Sequence, residues 1–528
     1  MAPRLLSPRR APLLLGAIAL LSGLATYALD PRADEGTAKA SPPSAPALRE
    51  PPPADAKPEA PASFAGKIDA VLAEAGLFAL EPAPESAGAR IGLVVLDLER
   101  GETLYARNPD LALNPASNAK LLTTAAALSE LGPEHRYATR LWTDATIDDG
   151  AIQGPLYLQG GGDPSLVTGE LYELAGELRG LGIRKIQGPI IVDAGRFDRD
   201  GLPPGFDQKT EFASYRAPGG AMSVNYNTFE VHAAPGEAVG GALRFVVEPP
   251  VDDIVIASEA QTVAGGRNKL WVSSADKRGK TTITFHGEIG VDAPRGSYRY
   301  PVSDPSRYAA SVLALALEER GIKLRKTTPT TGEVPQDARL LATSRSETLS
   351  ELCRAVNKWS NNFMAEQILR TLAPGEGATA EAALEVLRAY SREIGMDQRG
   401  LVIGNGSGLY ANNLVSAHAM TQLLAAVYAD FRIRSDYLAS LAIMGRDGTT
   451  RSRLHDSAAS GWIRVKTGTL DDVSALSGYA GSEGSAAPLA FSILMNGLER
   501  RDRGQARAVQ DAVAELVAAE AVARRARD

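Results

Sequence analysis

A run of small and apolar residues between Lys120 and Gly132 is the strongest constraint that this sequence places on its fold. Its leucines and alanines recur at the spacing of a helix face, and Gly132-Pro133 is a strong stop signal. Pro115 suits the opening of a helix, so Ser117 and Lys120 fall in the first turn, three residues apart on one face. We therefore expect a helix that presents a serine hydroxyl beside a lysine amine.

A serine and a lysine three residues apart are a weak signal, because so short a pattern recurs by chance. The chain itself contains a second instance at Ser274 and Lys277, in a polar stretch without an apolar face. Taken alone, the pair at Ser117 is better explained as two residues on a solvated helix face. Its significance depends on what else the chain carries.

The composition argues against several kinds of site. The chain has 528 residues, enough for about three structural units, and a formal net charge of -7 that gives no reason to expect a nucleic-acid partner. Cys353 is the only cysteine, so neither an intrachain disulfide nor a thiolate metal cluster can form. The histidines lack the close spacing of zinc ligands, and we therefore expect no metal.

The first 62 residues carry addressing and tethering signals. Arginines precede an apolar run that reaches residue 29, which is typical of an export signal peptide or an N-terminal membrane anchor. The run is long for a cleaved signal and short for a membrane span, and cleavage is the favoured outcome. Residues 30–62 alternate proline, alanine and charge, which predicts a disordered linker. The remainder is therefore expected outside the cytoplasm, in the periplasm or cell envelope.

The remaining sequence changes its pattern twice. Residues 63–138 predict a helix, a strand hairpin and the Ser117 helix, and residues 139–302 predict short strands separated by glycine turns. Helical periodicity and then strands return over residues 303–528. The simplest organisation is one domain in two parts, 63–138 and 303–528, interrupted by a β-rich inserted module at 139–302.

Two further motifs complete a set with the Ser-x-x-Lys pair. Ser360-Asn361-Asn362 lies where two helical stretches meet, and Lys466-Thr467-Gly468-Thr469 closes a strand. Ser-x-Asn is weak alone, since Ser223-Val224-Asn225 repeats it, but Lys-Thr-Gly occurs once in the chain. Gly468 carries no side chain, so a ligand can lie against the strand edge there. Each motif singly is explained as well by helix capping or strand formation, so the order of the three carries the signal.

In this order the three motifs resemble the active site shared by penicillin-binding proteins and serine β-lactamases. The 243 residues from Ser117 to Ser360 exceed what β-lactamases of the Ser-x-Asn kind can hold. So wide an insertion is similar to class C low-molecular-weight penicillin-binding proteins, the D-alanyl-D-alanine carboxypeptidase/endopeptidase family. Segments at 160–164, 223–227, 405–409 and 447–449 also look like that family, except that Asn405 stands where an aspartate is usual.

The resemblance implies an α+β fold: a penicillin-binding-protein/β-lactamase-like transpeptidase domain, with an antiparallel sheet flanked by helices and a large β-rich insertion. It also implies a serine-type D-alanyl-D-alanine carboxypeptidase/endopeptidase that acts on peptidoglycan peptides through an acyl-enzyme. β-Lactam antibiotics would be covalent inhibitors, and no metal or organic cofactor is expected.

Proton transfer is assigned to three residues, with a fourth to orient them. Ser117 is the expected nucleophile, and Lys120, desolvated and close to the second cation Lys466, is the expected base. Ser360 can pass the proton toward the leaving amine. Asn362 can orient both Lys120 and the substrate backbone.

Substrate binding is expected at the Lys-Thr-Gly strand. Lys466 supplies positive charge for the terminal carboxylate, with the hydroxyls of Thr467 and Thr469 beside it and Gly468 between them. By resemblance, the backbone N–H groups of Ser117 and Thr469 form the oxyanion site.

Two alternatives remain open. The first is a non-catalytic cell-wall-binding homologue, which the presence of every motif residue argues against. The second is a serine β-lactamase or esterase of the same fold, which the wide insertion argues against. A histidine-based hydrolase is less favoured, because no Gly-x-Ser-x-Gly sequence surrounds Ser117.

Overall fold

The computed structural model describes residues 63–78, 88–325, 328–410, 412–484 and 487–525. The expected export signal or anchor at 1–29 and the expected linker at 30–62 lie outside these residues. The described residues form one compact unit. Among the described helices, none combines the length and the apolar character that crossing a membrane requires.

The described residues form ten α-helices and twenty-two strands. The helices are α1 Phe64–Ala75, α2 Ala119–Leu131, α3 Thr168–Gly180, α4 Pro305–Glu319, α5 Leu349–Trp359, α6 Asn362–Thr371, α7 Ala380–Glu393, α8 Ala417–Ala429, α9 Arg434–Ser440 and α10 Arg503–Arg525. The strands are β1 Arg90–Asp97, β2 Glu102–Arg107, β3 Ala138–Thr143, β4 Ile147–Asp148, β5 Ala151–Ile152, β6 Leu156–Gln159, β7 Lys185–Ile186, β8 Ile190–Asp193, β9 Thr228–Ala234, β10 Arg244–Glu248, β11 Ile254–Ser258, β12 Gln261–Val263, β13 Asn268–Lys277, β14 Lys280–Gly290, β15 Gly296–Pro301, β16 Lys323–Leu324, β17 Thr330–Thr331, β18 Arg339–Arg345, β19 Ala442–Ile443, β20 Ile463–Thr469, β21 Val473–Ala480 and β22 Leu489–Asn496.

A six-stranded antiparallel sheet, in the order β19-β20-β21-β22-β1-β2, forms the centre of the part that contains Ser117. The N-terminal hairpin β1–β2 therefore joins the C-terminal strands in one sheet. β1 pairs with β22 along its whole length, from Arg90 opposite Asn496 to Asp97 opposite Leu489. The pairing of β1 with β22 thus joins the N-terminal and C-terminal parts of the described chain in one sheet.

Alternate residues of the central strands belong to two different cores, because successive side chains of a strand point to opposite faces. On β21, Ala475 and Tyr479 join the core that contains α2 and α5 to α9. Leu476 and Ala480 join the core that contains α1 and α10. The sheet is therefore covered by helices on both faces, which is the expected α+β arrangement.

Helix α2 is buried on all sides. Nine consecutive residues, 120 to 128, are buried, whereas a surface helix buries only one stripe. Leu121 and Leu128 are 0% exposed, and each such side chain contributes about 1.5–3 kcal/mol of burial free energy. Lys120 is buried with them, so its amine is removed from water by the fold itself.

The inserted residues build a separate core of their own sheets and two helices. One sheet has the order β17-β8-β6-β3-β18, and its core contains side chains from α3 and α4. Helix α3 lies where the sequence analysis expected only strands and turns. β3 pairs with β18, with Ala138 opposite Arg345. We therefore propose that the inserted module spans about 138–345 instead of 139–302.

Hydrogen bonds tie the inserted residues to helix α6. Arg370 donates to the carboxylate of Asp198 and to the carbonyl of Asp200, the latter at 3.2 Å. Gln367 Nε2 donates to the carbonyl oxygen of Gly220 at 2.7 Å. The insertion is therefore attached to the helix that begins at Asn362, and not only through its two chain connections.

Candidate active site

Ser117 lies in a short 3₁₀ turn, Ala116–Asn118, that leads directly into α2. Ala116 has a φ of 46°, a left-handed conformation that is uncommon for a residue with a Cβ atom. Its N–H donates to Asn114 Oδ1 at 2.8 Å, which holds the turn in place. The turn leaves Ser117 half-buried, just before the buried residues of α2.

Lys120 Nζ has three hydrogen-bond partners. It lies 3.0 Å from Ser117 Oγ, 2.7 Å from Asn362 Oδ1 and 2.5 Å from the carbonyl oxygen of Ser407. Burial lowers the pKa of Lys120 to about 7, although the nearby carboxylate of Glu366 acts in the opposite direction. The Lys120 amine is therefore uncharged in a large fraction of the molecules near neutral pH.

Ser360 and Lys466 form a second serine–lysine pair. Ser360 ends α5 in a left-handed conformation with a φ of 59°. Lys466 Nζ donates to Ser360 Oγ at 3.0 Å and to the carbonyl oxygen of Thr467 at 2.7 Å. Lys466 is 0% exposed, and burial, followed by the charge of Lys120, lowers its pKa well below its ordinary value.

Ser360 is the C-terminal cap residue of α5, but the side chain that caps the start of α6 belongs to neither Ser360 nor Asn362. Asn361 Oδ1 accepts the hydrogen bond from Met364 N at 3.1 Å at the start of α6. The side chains on either side of it are therefore available to the two lysines.

Strand β20 carries the remaining motif residues. Thr467 is half-buried, with its Oγ1 2.8 Å from Thr449 Oγ1, and Thr469 is exposed at the end of the strand. A Cβ atom at Gly468 would lie 2.6 Å from the carbonyl oxygen of Pro115. The glycine therefore has a packing reason in addition to the expected room for a ligand: it lets the Ser117 turn approach the strand.

The three motifs thus meet at one place. Two hydrogen bonds join Lys120 to Asn362 and Lys466 to Ser360, and Asn118 Nδ2 donates to the carbonyl oxygen of Lys466 at 3.3 Å. This last contact connects the serine turn directly to the Lys-Thr-Gly strand.

The repeated short patterns lie elsewhere. Ser274 and Lys277 are exposed on β13, where residues three apart point to opposite faces of the sheet. Ser223 Oγ donates to the carbonyl oxygen of Gly220 at 2.8 Å, and Asn225 Nδ2 donates to Thr168 Oγ1 at 2.8 Å. Both patterns therefore belong to the local structure of the insertion.

Two groups beside Lys120 were not found from the sequence. One is the carbonyl of Ser407, and the other is Glu366, whose oxygens accept hydrogen bonds from Gly406 N at 3.2 Å and Ser407 N at 2.7 Å. Glu366 follows Asn362 by four residues and lies on the same face of α6, which is the only local signal for it.

Asn405, which stands where the resembling family usually has an aspartate, holds the same loop. Its Oδ1 accepts hydrogen bonds from Gly408 N and Asn413 Nδ2, both at 2.8 Å. Its Nδ2 donates to the carbonyl oxygen of Leu409 at 3.0 Å, a bond that an aspartate could not make.

One group among the described residues has the composition of a metal site. Oxygen and nitrogen atoms of Asp110, Asp397 and His418 lie within 4.8 Å of one another. The guanidinium of Arg399 pairs with both carboxylates, at 2.6 Å from Asp397 and 3.2 Å from Asp110. This guanidinium offsets part of the negative charge of the two carboxylates, and we assign no metal to the group.

Known proteins resemble this chain over most of its length. A sequence profile of the D-Ala-D-Ala carboxypeptidase 3 (S13) family matches residues 77–520. The D-alanyl-D-alanine carboxypeptidase of Actinomadura sp. (strain R39) is 33% identical over 472 residues, which cover 85% of this chain and 83% of that protein. The D-alanyl-D-alanine carboxypeptidase DacB of Haemophilus influenzae is 24% identical and covers 79% of this chain and 87% of that protein.

The fold is also that of a solved protein. The crystal structure of penicillin binding protein 4 (dacB) from Haemophilus influenzae superposes with a TM-score of 0.72 at 22% identity, and covers 86% of this chain and 98% of that chain. A structure of the same protein complexed with a β-lactam superposes with a TM-score of 0.68. The expected penicillin-binding-protein-like α+β fold is confirmed.

These matches confirm the expected class C penicillin-binding-protein assignment and the expectation of a peptidase. They do not favour the non-catalytic homologue or the β-lactamase. The chain belongs to the D-Ala-D-Ala carboxypeptidase 3 (S13) family.

Proposed function

We propose that this protein is a serine D-alanyl-D-alanine carboxypeptidase in which Ser117 forms the acyl-enzyme and Lys120 is the base. The observation that carries the proposal is the surroundings of the Lys120 amine. A neutral amine has two N–H bonds and one lone pair, and Asn362 Oδ1 and the Ser407 carbonyl accept from this nitrogen at 2.7 and 2.5 Å. With both N–H bonds so directed, the lone pair points toward the hydroxyl of Ser117 at 3.0 Å.

Acylation then follows from these positions. Ser117 Oγ attacks the carbonyl carbon between two D-alanines while its proton passes to Lys120 Nζ. The Oγ–C bond forms and the C–N bond breaks. The proton taken up by Lys120 is then proposed to pass by way of Ser360 Oγ, which lies 3.0 Å from Lys466 Nζ, to the departing D-alanine nitrogen, so that Lys120 is neutral again before deacylation. The N–H groups of Ser117 and Thr469 are proposed to stabilise the oxyanion.

Deacylation needs only water and the same base. Water attacks the ester carbonyl of the acyl-enzyme and gives a proton to Lys120. The C–Oγ bond breaks, Ser117 regains its proton, and the shortened peptide leaves with a new carboxylate.

The substrate class follows from Lys466 and its neighbours. We assign the terminal carboxylate of the peptide to Lys466, Thr467 and Thr469, at the end of β20 next to the serine turn, and the peptide backbone to Asn362. Peptides of peptidoglycan end in such a carboxylate, which places the enzyme in the cell envelope. A β-lactam presents a strained amide to the same serine and is proposed as a covalent inhibitor.

A purified stem peptide that ends in D-Ala-D-Ala tests this function directly. We expect release of free D-alanine and a peptide that is one residue shorter, which mass spectrometry resolves. Cross-linked muropeptides in the same assay measure any endopeptidase activity. Fast hydrolysis of a β-lactam without release of D-alanine would instead identify a β-lactamase.

Lys466→Ala should weaken reaction most with substrates that carry a free terminal carboxylate. Loss of one buried charge-assisted contact costs about 2–4 kcal/mol of transition-state binding. The measurement is kcat/KM for a D-Ala-D-Ala peptide and for its C-terminal amide.

The exposed Lys277→Ala is the matched control and should leave both values unchanged. An equal loss on the acid and the amide in Lys466→Ala would show that Lys466 does not bind the carboxylate.

A further inference from the structure

Glu366 is a buried carboxylate that the reaction steps above do not use. It lies on α6 and is 5% exposed. A carboxylate in such a position lowers stability unless it is paired and hydrogen-bonded. Its hydrogen bonds come from the backbone N–H groups of Gly406 and Ser407, and the charge that it faces is that of Lys120.

The carboxylate of Glu366 and the amine of Lys120 bind the two backbone polar groups of Ser407. Ser407 N donates to Glu366 Oε1 at 2.7 Å, and the carbonyl oxygen of Ser407 accepts from Lys120 Nζ at 2.5 Å. A shift of the Glu366 carboxylate therefore moves the Ser407 loop. Because that carbonyl is one of the two acceptors that orient the amine of Lys120, the shift also reaches the base.

Helix α6 reaches Lys120 by two routes from one face. Asn362 and Glu366 are four residues apart, and Arg370 follows after four more, so their side chains leave the helix in the same direction. Asn362 contacts Lys120 directly, and Glu366 acts through Ser407. Arg370, the next side chain on this face, forms an ion pair with Asp198 in the insertion.

We infer that Glu366 is a positioning residue, which fixes the Ser407 carbonyl against Lys120 and supplies the negative charge that the buried amine faces. The inference rests on the proposed role of Lys120 as the base. Glu366 is not a catalytic residue in the strict sense, because its effect passes through Ser407 and through the charge of Lys120.

The surrounding charges determine the sign of the expected effect. Two positively charged side chains face Glu366: Lys120 on α2, and Arg370 on α6, the helix of Glu366 itself. Asp198 and Asp200 lie beyond Arg370, and Lys466 on β20 faces Lys120. Without the charge of Glu366, a protonated Lys120 loses the carboxylate that stabilises its charge, while the burial that opposes that charge remains. Protonation of Lys120 then becomes less favourable, so its pKa falls and the neutral base persists to lower pH.

Glu366→Gln tests the inference. The amide keeps the size of the side chain, but it has no charge and its NH₂ group opposes one of the two backbone N–H donors. We expect acylation by a fluorescent penicillin to slow about 10- to 100-fold at its maximum, and its pH midpoint to move to lower pH. The exposed Glu351→Gln, on α5, is the control and should keep the wild-type rate and midpoint.

A folded Glu366→Gln protein whose midpoint equals that of the wild type would overturn the inference, whatever its maximal rate. Should this variant not fold by circular dichroism, Glu366→Asp keeps the charge and shortens the reach. A slower rate at the wild-type midpoint then supports the inference, and a wild-type rate overturns it. Failure of the wild-type protein to react with penicillin at any pH would count against the proposed function instead.

Discussion

Ser117→Ala is expected to abolish covalent labelling by a fluorescent penicillin while the protein stays folded. The hydroxyl oxygen of Ser117 is the atom proposed to form the acyl bond, and removal of a nucleophile costs at least about 10³-fold in rate. The half-buried side chain makes one hydrogen bond, to Lys120, so the thermal unfolding midpoint should change little. Gel fluorescence, peptide mapping of the wild-type adduct and circular dichroism measure these effects.

The chain offers a matched control for this experiment. Ser274 has a lysine at the same spacing, but it lies exposed on β13, with Lys277 on the opposite face. Ser274→Ala should therefore retain full labelling. An adduct that maps to Ser274, or persistent labelling of a folded Ser117→Ala protein, would contradict the assignment of the nucleophile.

Lys120→Met is expected to slow acylation about 10²- to 10⁴-fold, because general-base assistance to Ser117 is lost. In the wild type the neutral amine is the proposed active form, and burial brings the pKa of Lys120 to about 7. The acylation rate should therefore rise with pH through about pH 7 and level off above it. Stopped-flow measurement of penicillin acylation between pH 5 and 9 records both effects.

Lys120→Arg separates the base from the charge. An arginine keeps the positive charge but cannot lose its proton in this pH range, so it cannot act as a base. We expect the acylation rate of this variant to fall as far as that of Lys120→Met. A folded Lys120→Arg protein with the wild-type rate would show that Lys120 contributes only charge.

Local patterns in the sequence were sufficient to predict the helices and strands that carry the motifs. The apolar run after Lys120, the Lys-Thr-Gly strand and the later helices each have periodicity that depends on neighbouring residues only. The order of the three motifs and the distance from Ser117 to Ser360 indicated the family, which the comparisons confirm. Helix α3 was missed although Leu171, Leu174, Ala175 and Leu178 repeat at helical spacing, because short strands and glycine turns surround it.

The tertiary structure alone decided which groups surround the base. Lys120 meets Asn362 and Ser407 across 242 and 287 residues of chain, and no local pattern encodes such a contact. The same holds for Glu366, which acts on Lys120 through its charge and through the loop that contains Ser407.

Secondary structure also separates the two Ser-x-x-Lys patterns, which are alike as sequences. At Ser117 the turn and helix bring the lysine to 3.0 Å from the hydroxyl, whereas in strand β13 the same spacing turns Ser274 and Lys277 apart. The sequence alone determined the residue types, their order and the elements that hold them. The burial that lowers the pKa of Lys120 was decided by packing, because desolvation depends on every element that closes around the amine.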